Sequence, residues 1–216
     1  MTATALIRPY RGVSAEDRCD ERRERLLAAG LELLGTEGYA GTTVRGVCAE
    51  AKLTPRYFYE SFADLEELLV AVFDRLIGET AAEVVAAIDA APHDAFAKSK
   101  AAIETFVLAL TEDPRRARVA FIEALGSEAL MRRRLDTMRL FADLMAAQGR
   151  EFYGRTDDDP LSDLTATVLV GGMAELLIRW LDGSLDVSRE QLVEDLAELF
   201  VATGESAVAI ARRRAV

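Results

Sequence analysis

No stretch of this chain alternates apolar and polar residues for long enough to make a strand. Apolar residues recur instead at three- and four-residue spacing, in text dominated by Ala, Leu, Glu and Arg, all good helix formers. The expected fold is all-α. With 216 residues, 50% of them hydrophobic, the chain has material for one large domain or two small ones.

Breaks between the apolar stripes divide the chain. Residues 1–19 read as a flexible arm. A helix is expected from about Asp20 to Thr36, where Leu26, Leu27, Gly30, Leu31 and Leu34 share a face and Gly38 stands as terminator. A second runs from about Thr43 to Ala51 on Val44, Val47, Cys48 and Ala51, with Thr42 or Thr43 as its cap. The third, Pro55 to Ser61, is very short. Thr54 caps it, Pro55 takes the first helical position, and Leu53 and Phe58 form a hydrophobic staple. A fourth starts near Asp64, with Glu67 as box-like partner, and runs toward Ile88, with Gly78 as a candidate break. Five more are expected, at about 94–112, 114–125, 126–148, 161–181 and 188–210. These nine helices divide into a three-helix unit over residues 20–66 and a larger helical unit over 67–216.

The three-helix unit is the informative part. Its second and third helices are joined by only Lys52 to Thr54, the tight link a helix-turn-helix requires. Phe58 and Phe62, one turn apart, face inward. At about 100° per residue, Arg56 and Glu60 then lie on the opposite side, flanked by Tyr57 and Tyr59. A two-turn helix showing Arg, Tyr and Tyr suits entry into a DNA groove. Arg56 can reach a base edge, and the tyrosines can reach phosphates, sugars or thymine methyls. The free N–H groups at the starts of the second and third helices suit phosphate.

Charge permits this without demanding it. Residues 1–62 hold nine Lys/Arg and nine Asp/Glu, so the whole net charge of −11 lies in the remainder. A neutral head on an acidic body can meet a polyanion through one face, and Arg8, Arg11 and Arg18 precede the first regular helix. Two distant cysteines and one histidine leave too few ligands for a zinc site, and no metal or cofactor is expected. Cys48 reads as a small core residue and His93 as a solvated loop residue. No phosphate loop or nucleophile elbow is present, so no enzyme is expected. Neither a signal peptide nor a membrane span is read from the text, which predicts a cytoplasmic protein with no membrane partner.

The run Tyr39-Ala-Gly-Thr-Thr-Val-Arg-Gly-Val-Cys-Ala-Glu-Ala, then Leu53-Thr-Pro-Arg-Tyr-Phe-Tyr-Glu-Ser-Phe62 and Leu65-Glu-Glu-Leu68, resembles the DNA-binding domain of the tetracycline-repressor (TetR) family over about residues 20–75. The resemblance implies that Tyr59 contacts phosphate and that Arg56 and Tyr57 face the groove. It further implies that Thr43 and Arg45 touch the DNA backbone and that Thr54 caps the recognition helix. Two positions depart from the family pattern. Lys52 stands where glycine is usual, at about 1–2 kcal/mol if its backbone is left-handed, though its amine can reach a phosphate. Leu65 stands where a phosphate-binding lysine is frequent, so one contact is lost and the arginine-bearing arm can compensate from a minor groove.

The resemblance implies a homodimer, built on the last two helices, that binds duplex DNA at two half-sites. Val168, Gly171, Gly172 and Glu175 on one helix, and Leu192, Leu196, Leu199 and Phe200 on the other, are the expected interface. The middle helices are expected to hold a pocket for a small apolar or amphipathic effector. Its candidate residues are Phe106, Arg118, Phe121, Glu123, Phe141 and Trp180. The expected function is that of a ligand-responsive repressor at a palindromic operator. An activator of the same fold, or a helical interaction module without DNA binding, are the alternatives.

Overall fold

Leu26 and Ala29 point into one core and Leu34 into another, so the first helix belongs to two units at once. The computed structural model describes residues 15–123, 127–154 and 160–214, and among these it contains ten α-helices and no strand. They are α1 (Ala15–Thr36), α2 (Gly38–Gly41), α3 (Val44–Glu50), α4 (Pro55–Ser61) and α5 (Leu65–Ala90), followed by α6 (Ala95–Thr111), α7 (Pro114–Phe121), α8 (Glu128–Phe152), α9 (Pro160–Leu181) and α10 (Arg189–Arg214).

Local chemistry sets most of the helix starts. Asp64, Asp94, Asp113 and Ser127 each accept a backbone N–H from the first turn they precede. The Glu67 carboxylate reaches back to the Ala63 N–H at 2.6 Å, one residue before the cap, a box-like arrangement shifted by one position from the usual one at the cap itself. Three differences from the sequence reading stand out. The four-residue α2 was not expected; Gly38, at φ +77°, turns the chain out of α1, and the buried Thr42 hydroxyl donates to the Gly38 carbonyl. The first helix starts at Ala15 rather than near Asp20, so Arg18 lies on it, while Arg8 and Arg11 fall outside the described residues. No break occurs at Gly78. A glycine there costs about 1 kcal/mol, but Phe73, Leu76 and Thr80 on the same helix are buried, and that packing carries the helix through.

The head core gathers Leu26, Val47, Cys48, Phe58 and Phe62 with Leu68 and Val72 from α5. The body core gathers Leu34, Phe73, Ile103, Val107, Leu177 and Leu196, among others. Small residues, Ala142, Ala146, Ala166 and Val170, let α8 and α9 approach closely. Both α1 and α5 contribute to both main cores, so they tie the head to the body.

The expected interface stripe on α10 divides. Leu192 and Leu196 are buried in the chain's own core, Phe200 is half-buried against it, and Leu199 points outward. Leu192 and Leu196 are therefore not available to a partner. On α9 the outward row is Leu164, Val168, Gly172 and Glu175, with Gly171 half-buried beside it. A side chain at either glycine would meet open space. By length and composition α9 is apolar enough to cross a membrane, and 17% of its most apolar window is buried inside the chain, which leaves most of that window to face outward.

Candidate nucleic-acid interface and body cavity

Backbone hydrogen bonds fix the turn between α3 and α4. Thr43 is the N-cap of α3, and its hydroxyl accepts the Gly46 N–H at 3.1 Å. At the other end, Lys52 N–H donates to Ala49 O at 3.1 Å and Leu53 N–H to Cys48 O at 2.9 Å. These two bonds form a Schellman motif, which wants a left-handed residue between helix and exit. Lys52 supplies it at φ +54°, the one non-glycine with positive φ among the described residues. Arg25, reaching from α1, offsets the strain. Its guanidinium donates to Ala51 O at 2.5 Å and Lys52 O at 3.2 Å, so the turn's free carbonyls are held from outside. Leu53 then packs in the head core beside Phe58.

Helix α4 shows the face expected of it. Phe58 is fully buried and Phe62 nearly so. Thr54 occupies the cap position, but its side chain makes no capping bond, so its exposed hydroxyl is free for another partner. Arg56 is 85% exposed and pairs with Glu60 at 3.1 Å. Tyr59 is 61% exposed, its ring edge-on to Phe58. Tyr57 is less free: the Arg22 guanidinium lies 4.6 Å over its ring and also approaches Glu60 at 3.7 Å. Thr43, Arg45 and Lys52 are exposed, whereas Leu65 is half-buried and packs against both cores. The predicted residues thus stand together along α3, the turn and α4.

In the body, α5, α6, α8, α9 and α10 surround a cavity of about 640 Å³. Phe106, Phe121 and Phe141 line it as expected, with Phe106 edge-on to Phe141. Trp180 does not. It packs on the body core and its indole N–H donates to Val187 O at 2.9 Å, bracing the α9–α10 connection.

Arg118 and Glu123 are also elsewhere, at the joint between head and body. Arg118 Nε donates to Glu123 Oε1 at 2.7 Å and its Nη1 to Thr36 O at 2.8 Å. The Tyr39 N–H donates to Glu123 Oε2, also at 2.7 Å. Arg115 adds an ion pair to Glu32 on α1, and Ser127 donates to Glu66 at 2.9 Å. Two charges embedded in apolar text were read as ligand partners; they pair instead with each other and with backbone groups of Thr36 and Tyr39, 82 and 84 residues back along the chain. Arg118 on the α1 carbonyls and Glu123 on the Tyr39 N–H are tertiary contacts with no local signal.

Residues 26–72 match the family model described as bacterial regulatory proteins, tetR family. The head is a tetR-family DNA-binding domain. The body is like solved tetR-type structures. The fatty acid degradation regulator FadR from Bacillus halodurans aligns at TM-score 0.70 and 18% identity, over 83% of this chain and 94% of that one. FadR from Bacillus subtilis, solved with stearoyl-CoA, aligns at 0.69 and 17%, over 83% and 98%. The multidrug binding protein EbrR, solved with imidazole, aligns at 0.62 and 27%, over 82% and 94%. No curated protein matches the chain significantly. Over 82–83% of its length the chain thus has the fold of these regulators. Within that head, sequence reasoning missed Arg22 and Arg25. Both precede the motif in α1, and only the folded arrangement brings them against Tyr57 and the turn.

Proposed function

We propose that this chain is a ligand-responsive repressor that works in the cytoplasm and binds a palindromic operator as a homodimer. The observation carrying this reading is the shared exposed face of Thr43, Arg45, Lys52, Thr54, Arg56, Tyr57 and Tyr59 on the tetR-type head. In it Arg56 and Tyr57 read base edges, while Tyr59, Thr43 and Arg45 hold phosphates. Arg56 leaves Glu60 for a guanine edge, an exchange of one exposed ion pair worth little in water for a bidentate contact. Leu164, Val168 and Leu199, 57–67% exposed, meet their counterparts on a second copy. The glycines of α9 let the partner's helix approach closely.

The cavity supports effector binding. Phe121 lines it and lies two residues before Glu123 at the joint, so a ligand that moves the end of α7 also moves the clasp on Tyr39. Release of DNA then follows only to the extent that the ligand prefers the rearranged state. FadR and EbrR, solved with stearoyl-CoA and imidazole respectively, are consistent with a body that takes small molecules.

Selection of bound sites from random-sequence duplex DNA, with Tyr59→Ala in parallel, tests the reading. The expected result is one palindromic motif, enriched by the wild type and not by the variant, with affinity falling steeply as salt rises. A folded wild type that enriches no motif would sink it.

A further inference from the structure

The cavity's shape and charge are more specific than its size. Phe73 and Asp89 both line it from α5, so at 1.5 Å per residue it extends about 24 Å along that helix. Arg134 and Phe152 line it from α8, giving a similar span of about 27 Å. A sphere of 640 Å³ would be only about 11 Å across, so this is a narrow slot. The two helices run opposite each other along it. Near the head they touch through Arg133 and Asp74; at the far end Phe152 lies 5.0 Å from the His93 ring. Val85 and Leu144 line the slot while remaining about half exposed, so it also opens sideways between α5 and α8.

The walls between the ends are apolar. Ile77, Val84, Phe106, Met138, Phe141 and Met173 make up much of the shaft, and the methionines adapt to a flexible occupant. Charges sit at the two ends and are not balanced. At the far end Lys98 and Arg150 stand with Asp89 and Glu151, summing to zero. Lys98 also donates to Ile88 O, and Arg150 pairs with Asp163 at 3.0 Å. At the head end the sole charged lining residue is Arg134, half-buried and without a hydrogen-bond or ion-pair partner among the described residues. In a chain of net charge −11, this cavity carries an excess of one positive charge.

We infer that the slot takes an elongated, singly negative amphipath, a long-chain carboxylate, with its head group on Arg134 and its chain running toward Phe152. The inference rests on the reading of this cavity as the effector site. A guanidinium in an apolar slot offers a carboxylate two parallel charge-assisted hydrogen bonds. The shaft removes the chain from water along its length.

Calorimetric titration of the full chain with sodium myristate, 1-tetradecanol and sodium hexanoate tests this. Myristate binds, tetradecanol binds about tenfold more weakly or worse, and hexanoate does not bind measurably. Arg134→Gln weakens myristate about tenfold and leaves tetradecanol unchanged, whereas Arg150→Gln alters neither. Tetradecanol binding as tightly as myristate to the wild type, or myristate unaffected by Arg134→Gln, would overturn the inference. If Arg134→Gln does not unfold cooperatively, Arg134→Lys and the acid-against-alcohol comparison still decide. Myristate binding that needs Arg134 but never changes DNA affinity would leave the inference standing and remove the effector reading. DNA release by another compound class, with no myristate binding, would do the reverse.

Discussion

Lys52 has two jobs that pull apart. Its left-handed backbone favours glycine, while its amine is exposed at the edge of the DNA-facing surface. Lys52→Gly should therefore raise unfolding stability by about 1 kcal/mol. It should also lower the dependence of DNA affinity on salt by about one counterion. Thermal unfolding and a salt titration of operator binding read the two effects separately. A variant that is more stable with an unchanged salt slope would show that the amine never meets a phosphate. The strain at Lys52 was legible from residue type and spacing alone, because the turn is local. Its relief by Arg25, twenty-seven positions earlier, was not. Tyr57 was likewise placed on the right face, but Arg22 over its ring could not be read from a helix pattern.

Among the elements, α7 joins the most distant parts. Asp113 begins it and holds Arg115, which reaches Glu32 on α1; Phe121 ends it against the cavity. Helix α1 approaches so closely that a Cβ on Gly35 would lie 2.4 Å from the Arg115 Cβ. Gly35→Ala should force the two helices apart and lower stability by about 1–3 kcal/mol, visible in denaturant unfolding. No loss would mean the joint yields freely. The Arg115 guanidinium, through its hydrogen bond above all, holds the Asp113 carboxyl below the ordinary aspartate range. A depressed folded value means the contact stabilises fully above the ordinary value near ~3.9 and is lost as pH falls through the lower folded one. Asp113→Asn should flatten that acid-side loss in a series of melts between neutral pH and pH ~3. Helix starts were legible because caps act within four residues. The division of the α10 stripe was not: periodicity marks Leu192, Leu196 and Leu199 as apolar, but only packing against α6 and α9 decides that the first two face inward.

For the whole molecule, the proposed second copy accounts for the outward face of α9 and α10. Val168→Glu combined with Leu199→Glu should leave the subunit folded, since both residues are largely exposed. Sedimentation should then show monomers, and operator binding should fall steeply because each head reads only a half-site. A dimer that survives both charges would place the interface elsewhere.

Helix α5 starts beside the recognition helix, runs without a break for 26 residues and lines the cavity from Phe73 to Asp89. Such a rod is about 39 Å long. Pivoted at one end through about 5°, its other end sweeps about 3.4 Å, the rise of one base pair. Two such rods tilting in mirror sense double that error between half-sites. A slender occupant in the slot thus has no need to unfold or even bend the protein. A small wedge between α5 and α8 is enough to put the two reading heads out of step with the double helix.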